Sequence, residues 1–408
     1  MRAVEFALPG TGRMKILLVN DYATPTAGAE ITLKALRDGL LRRGHEVRVF
    51  SSRAELIPGQ SFADDTCFGT NSPLQALTST VNLSARRSLK RVLDEFQPDV
   101  VHVKMFLWQL SPMILGPLRR YLSIYHMVVY KPICPTGRKM LPDGSRCESP
   151  PGRVCLRSRC MTPPSWAAMM VQHHLWRRDM DTFDALVTTS RAMKERLEAE
   201  GVGPCQIIPN GCRQRQPRPP LGNEPRLAYA GRLSAEKGVD TLLHAFRRVL
   251  VELPEARLEI VGDGPQRTDL QGLAVEVGID DKVDFSGALE RAQMERQLDS
   301  AWVQAVPSQW EEPFGMVAIE AMMRGTAVVA SDGGGLRDIV REGTGQLVPP
   351  GDDTAWSEAL TQLLANRDRC EAMGAAGREV ALAEYTVDQC VGRVVSLYES
   401  LMGRAGQR

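Results

Sequence analysis

Long apolar runs are missing from this chain. No stretch approaches the roughly 18 consecutive apolar residues that a membrane-spanning helix needs, and no basic region leading into an apolar core opens the sequence. The expectation is a soluble, cytoplasmic protein. Excess charge of either sign is missing too: 50 Lys and Arg stand against 49 Asp and Glu, a net charge of +1. That balance speaks against a nucleic-acid binder driven by bulk electrostatics, and any anionic ligand must be held by a few local groups. The G-x-G-x-x-G fingerprint of a dinucleotide fold is absent from both DYATPTAGAE and VGDGPQR, which disfavours a nicotinamide enzyme. Histidine is scarce, with 6 in the chain, so few side chains are available for proton transfer near neutral pH.

What is present is length and rhythm. The 408 residues exceed one ordinary core and fit two domains of about 200 residues each. Short β-rich apolar runs alternate with helical patterns in both halves, the mark of parallel sheets covered by helices. KILLVN, EVRVFSS, DVVHV, YLSIY, ALVTTS and QIIPNG are the first-half strands; RLAYAG, LEIVGDG, VDFSG, WVQAVPS and AVVASD are those of the second. The proline-rich segment 213–225 lacks backbone donors where regular structure needs them and reads as a linker. The expected division is an extension over 1–13, an N-terminal Rossmann-like domain over 14–212, and a C-terminal one over 226–386. A last helix in 387–408 is expected to return to the first domain. Ligands of such sheets gather outside the carboxyl ends of the strands, so the strand-to-helix turns carry the chemistry.

Gly28 follows the first strand near a helix start, where it either lets the backbone approach a phosphate or only permits a turn. In GRLSAEKG, Arg232 and Lys237 form either a compact diphosphate clamp or a solvated rim. Gly262 and Gly264 in VGDGP bring backbone close to whatever lies beyond that strand. The segment EEPFGMVAIE sets Glu312 and Glu320 on either side of a turn that opens a helix, with Gly315, Met316 and Val317 at its start. Carboxylates cannot bind phosphate but accept hydrogen bonds from vicinal hydroxyls, so one can hold a sugar and the other a ribose; alternatively, Glu312 caps the helix and Glu320 is solvated.

His126 closes the run YLSIYH at a strand's carboxyl end, a ligand-facing position, whereas His102 within DVVHV reads as a packed strand residue. Cys134, Cys147, Cys155 and Cys160 crowd into a Pro-, Gly- and Arg-rich insert over 130–164. Their separations of 13, 8 and 5 lack the Cys-x2-Cys knuckle of familiar zinc sites. A structural zinc, disulfides and free thiols all stay open, although a loop this long calls for a staple.

Taken together, GRLSAEKG, VGDGP, EPFGMVAIEAM and TAVVASDGGGLRDIV, with GAEITLKAL, GHEVRVFSS, PDVVHV and IIPNG upstream, resemble the retaining glycosyltransferases of family 4. The resemblance covers nearly all of residues 14–400 and extends to a bacterial branch with a Cys-containing loop. It implies a GT-B fold, two Rossmann-like domains facing a cleft, and transfer of a sugar from a nucleotide-diphosphate donor, UDP- or GDP-linked. The acceptor would be a small molecule, a glycan or a lipid-linked species, with no nucleic acid involved and no cofactor needed for transfer. Gly28 would approach the diphosphate and Arg232 and Lys237 would neutralise it. Glu312 would hold the transferred sugar, the amides of Gly315, Met316 and Val317 would line sugar and phosphate, and Glu320 would bind the ribose. Gly262 and Gly264 would border the base, and His126 would lie near the reacting sugar, although Met127 replaces the polar residue that usually follows it. Basic clusters such as Arg86-Arg87 are candidates for contact with an anionic membrane surface or for a solvated face. A sugar-nucleotide epimerase and a non-catalytic sugar-nucleotide-binding module are the rival readings.

Overall fold

In the computed structural model, residues 12–57 and 59–405 are described; most of the extension expected at 1–13 lies outside them. Two parallel sheets organise the chain. The first has seven strands in the order β3-β2-β1-β4-β5-β6-β7. They are β1 (Lys15–Val19), β2 (Glu46–Ser52), β3 (Asp65–Cys67), β4 (Val100–Val103), β5 (Ser123–Met127), β6 (Ala185–Thr188) and β7 (Cys205–Ile207). The second has six in the order β10-β9-β8-β11-β12-β13, namely β8 (Arg226–Ala230), β9 (Arg257–Val261), β10 (Val283–Gly287), β11 (Val303–Val306), β12 (Ala327–Ser331) and β13 (Gln346–Val348). Both orders are doubly wound, with the first strand of each half at the centre and the order reversing there.

The central strands are buried along their whole length, as expected for sheets covered on both faces: β4, β11 and β12 expose none of their residues. By contacts the chain divides into two compact units. Unit 1 comprises residues 1–126, 171–186 and 394–408; unit 2 comprises 127–170 and 187–393. Unit 1 holds an aromatic cluster in which Phe106, Tyr125, Trp176 and Phe183 meet edge-on or tilted, except for the stacked Tyr125–Phe183 pair, at centroid distances of 5.0 to 6.2 Å. Unit 2 packs the helices Val239–Glu252 and Asp353–Leu364 on its sheet through Leu242, Phe246, Trp356 and Leu360.

The expected helices of the C-terminal region form over Asp353–Leu364, Arg367–Glu384 and Val387–Ala405. The segment after Cys212 runs without regular structure to β8, as its prolines dictate. Two strands escaped the sequence reading, β3 and β13. Each has three residues and lies at a sheet edge, too short to show a pattern. Asp181 lies in a short 3-10 turn, Met180–Thr182, and Asp179 just before it, held by Arg119 at 2.8 Å.

Candidate active site

The residues singled out in the sequence fall on the two units unequally. Gly28 and His126 belong to unit 1, and the others to unit 2. Gly28 is the first residue of the helix Gly28–Arg42, and a side chain placed there would meet open space within 4 Å. Its backbone needs no glycine for internal packing. His126 is the penultimate residue of β5 and is buried, its ring centroid 5.4 Å from that of His102. His102, also buried, lies with its Nδ1 2.6 Å from the Tyr398 hydroxyl, and burial with the nearby Lys104 charge lowers its pKa to about 3. It is therefore a neutral core histidine. Beside them at the same carboxyl ends, Lys104 donates to Thr32 at 2.7 Å, and burial raises the Glu30 carboxyl to about 7.

In unit 2 the turn after β8 meets the turn after β11. Gly238, at φ 64°, sits so close to Pro307 that a Cβ would lie 2.1 Å from its carbonyl oxygen. This contact brings Lys237 against Glu312: Lys237 Nζ donates to Glu312 Oε1 at 2.6 Å, and the Ser308 hydroxyl donates to the same oxygen at 2.7 Å. Burial alone would raise the Glu312 carboxyl, but the Lys237 ammonium and these two hydrogen bonds outweigh it and hold the pKa below the usual value. The ammonium also lies 5.1 Å from the centroid of the Trp310 ring. Arg232, by contrast, points its side chain into solvent.

Pro307 ends β11, and Gly315, at φ 111°, opens the helix Met316–Arg324 with no side-chain cap. Its first amides thus lack side-chain partners. A Cβ on Gly315 would strike Leu336 at 2.6 Å, and Cβ atoms on Gly334 and Gly335 would strike the backbone of Glu312 and Phe314 at 2.3 and 2.6 Å. Gly334 and Gly335 are therefore pressed against the Glu312–Phe314 turn and fix its path, with Gly335 N donating to Glu312 O at 2.7 Å. Glu320, one turn into the helix, pairs through Oε1 with Arg215 at 3.4 Å and Arg291 at 3.6 Å. Glu312 and Glu320 are thus both held by cations, a constraint the sequence spacing did not reveal.

Gly262 and Gly264 have an internal reason to be glycine. Cβ atoms on them would lie 1.8 Å from Gly231 O and 2.2 Å from Leu233 O, so the turn after β9 nests against the turn after β8.

Glu311, the neighbour of Glu312 in the chain, is paired with Arg196 at 3.1 Å and Arg146 at 3.3 Å. Arg196 also grips Glu148 and donates to Cys147 O at 3.3 Å, so the cysteine segment is tied to the residue beside Glu312. Cys134, Cys147, Cys155 and Cys160 line one small cavity together, and all four are free thiols. Burial pushes Cys155 and Cys160 up, and the neighbouring thiols push both further.

Residues 26–214 match the model of the family described as Glycosyltransferase Family 4, and residues 213–380 that of Glycosyl transferases group 1. The chain is 40% identical over 159 residues to a D-inositol 3-phosphate glycosyltransferase of Nocardia farcinica, covering 37% of this chain and 35% of that protein. It is 30% identical over 251 residues to a GDP-mannose-dependent alpha-(1-6)-phosphatidylinositol monomannoside mannosyltransferase of Mycobacterium tuberculosis, covering 56% and 65%. These alignments span from 35% to 65% of the curated relatives' own length. Among solved structures, sucrose-phosphate synthase from Thermosynechococcus elongatus superposes with a TM-score of 0.70 at 22% identity, over 96% of this chain and 100% of that one. Anabaena HepE in complex with UDP and glucose gives 0.69 at 19% identity, over 95% and 100%. At such identities the likeness establishes the fold, GT-B, and nothing finer.

Proposed function

Because the chain belongs to the glycosyltransferases of group 1 and family 4, we propose that it moves a sugar from a nucleotide-diphosphate-sugar donor to an acceptor hydroxyl with retention, by a front-face path that needs no metal. The observation that carries this reading is the Lys237–Glu312 pair, a cation and a hydroxyl-accepting carboxylate locked 2.6 Å apart between two strand-end turns. A diphosphate needs the cation and a sugar needs the carboxylate, and the two groups meet where one ligand presents both.

In this reading Lys237 takes the β-phosphate, and Arg232, free in solvent, swings in as the second cation. The amides of Gly315, Met316 and Val317 at the uncapped helix start add donors for the phosphates, and a like part for those beside Gly28 is what the family resemblance implies. As the anomeric C–O bond breaks, charge develops on the departing phosphate oxygen, where these groups stabilise it. That oxygen then helps take the acceptor proton on the same face, so the new bond forms where the old one was. Glu312 orients the sugar hydroxyls and Glu320 the ribose, and Gly262 and Gly264 shape the turn at the base; a part for His126 near the reacting sugar is what the family resemblance implies.

The names of the relatives favour a hexosyl donor, GDP- or UDP-linked, and an acceptor carrying polyol hydroxyls such as an inositol derivative or its lipid-linked form. The test is a thermal-shift panel of UDP-, GDP-, ADP- and dTDP-sugars, followed by transfer assays of Lys237→Ala and Glu312→Gln with the stabilising donor. Both variants are expected to lose about 10²–10³-fold in kcat/KM while keeping the circular-dichroism spectrum of the parent. Full transfer in both would overturn the assigned site.

A further inference from the structure

Residues 130–164 carry seven basic side chains against two acidic ones, yet they have little of their own to hold them. Their regular structure amounts to the beginning of the helix Pro163–Arg178, the five-residue helix Arg153–Arg157 and the isolated bridge between Met140 and Arg146. A positively charged segment with so small a core does not order cheaply. What gathers at its centre is sulfur. Cys134, Cys147, Cys155 and Cys160 come from four separate places in the segment and line the same cavity, closed by Met140, Leu141 and Val154. The Lys139 amide already donates to Cys134 Sγ at 3.4 Å, the kind of contact that favours a thiolate over a thiol.

From this arrangement we infer that Cys134, Cys147, Cys155 and Cys160 form a four-thiolate site for a soft divalent cation of the zinc class, and that the ion is the staple of the segment. Four thiolates and one divalent ion carry two net negative charges, which complements the basic excess around them. The balance is simple: each thiol releases its proton to solvent as its sulfur takes a place on the ion, with no change of oxidation state. Among the described residues, no three His, Cys, Asp or Glu side chains are gathered as a metal-holding group. Sites of this kind close as the ion draws the sulfurs to bonds of about 2.3 Å, so metal binding and ordering of the segment are one event.

The segment's outer side is what the staple would hold in place. Arg146 reaches Glu311 at 3.3 Å and Arg138 stands 3.9 Å from Glu236, so the loop touches the residues next to both members of the Lys237–Glu312 pair.

The experiment measures metal on the full chain purified without chelator, by elemental analysis, and then replaces it with Co²⁺. One zinc per chain and intense sulfur-to-cobalt charge-transfer bands are the expected result, with Cys155→Ser and Cys160→Ser losing both. Because a variant could misfold for other reasons, trypsin digestion of the parent gives a second readout. Stripping the metal should open cleavage at the arginines of the segment, and adding back Zn²⁺ should close it. A metal-free protein with no cobalt bands would overturn the assignment, whether its four thiols react freely with a disulfide reagent or its intact mass shows them oxidised to disulfides. None of these readouts depends on glycosyl transfer.

Discussion

Lys237 and Glu312 constrain each other more than a surface ion pair would. Glu312 is buried, Lys237 is about three-quarters covered, and both Lys237 and Ser308 converge on Oε1. Removing the cation leaves a buried carboxylate with one weak donor, so Lys237→Met is expected to lower stability by about 2 kcal/mol, less than the full cost of orphaning a wholly buried charge. Chemical denaturation measures it. Glu312→Gln keeps the Ser308 contact and relieves the charge, so its loss should be smaller, and the double variant should recover part of the Lys237→Met loss. Additive effects would show that the two groups are not coupled. At Gly262 the constraint is backbone: φ is 144° and a Cβ would sit 1.8 Å from Gly231 O. The left-handed conformation alone costs a side chain about 1–3 kcal/mol, so Gly262→Ala should fold poorly or shift the turn that carries Arg232, whereas Gly28→Ala, with open space around it, should leave the melting temperature unchanged.

At the scale of elements, the β11–turn–helix unit was legible because its parts are local. A buried strand, a proline stop, a glycine start and an amphipathic helix follow one another within the segment Val303–Arg324. What holds that unit was not legible. Arg196 lies 115 positions from Glu311 in sequence, and no spacing rule links them. The same holds for Gly334 and Gly335, whose missing side chains make room for the Glu312–Phe314 backbone. Nor did the VGDGP pattern disclose that its glycines accommodate a neighbouring turn. Arg196 also predicts behaviour: it joins Glu311 to Glu148 and to the Cys147 carbonyl, so Arg196→Ala should release one flank of the cysteine segment. Faster tryptic cleavage between Arg138 and Arg159, with little change in the global melting temperature, is the expected outcome, and unchanged digestion would assign the anchoring elsewhere.

Across the whole molecule, acid stability depends on buried histidines. Burial lowers His102 to about 3 and the half-buried His173 to about 4 from an ordinary 6.5, and it lowers the buried His45 as well. Below about pH 6.5 the unfolded chain takes up protons that the folded chain refuses, so the fully buried His102 removes about 1.4 kcal/mol per pH unit until its folded pKa is reached, and the partly exposed His173 removes less because solvent screens it. Glu30, raised to about 7, acts the other way: its contribution is present below 4.5 and lost as pH climbs toward 7. Three histidines against one carboxyl leave a net fall in stability between pH 6.5 and 4.5. Denaturation midpoints should therefore drop on acidification, and His102→Gln should flatten the slope by one proton's worth. The partner of His102 has a further consequence. Tyr398, on the last helix, closes over a strand near the middle of the first sheet, 296 positions earlier in the chain. During synthesis His102 on β4 stays without this partner until the 296 positions that separate it from Tyr398 have been added. Unit 1 thus opens before unit 2 in the chain and receives its residues 394–408 only after all of unit 2 has been made.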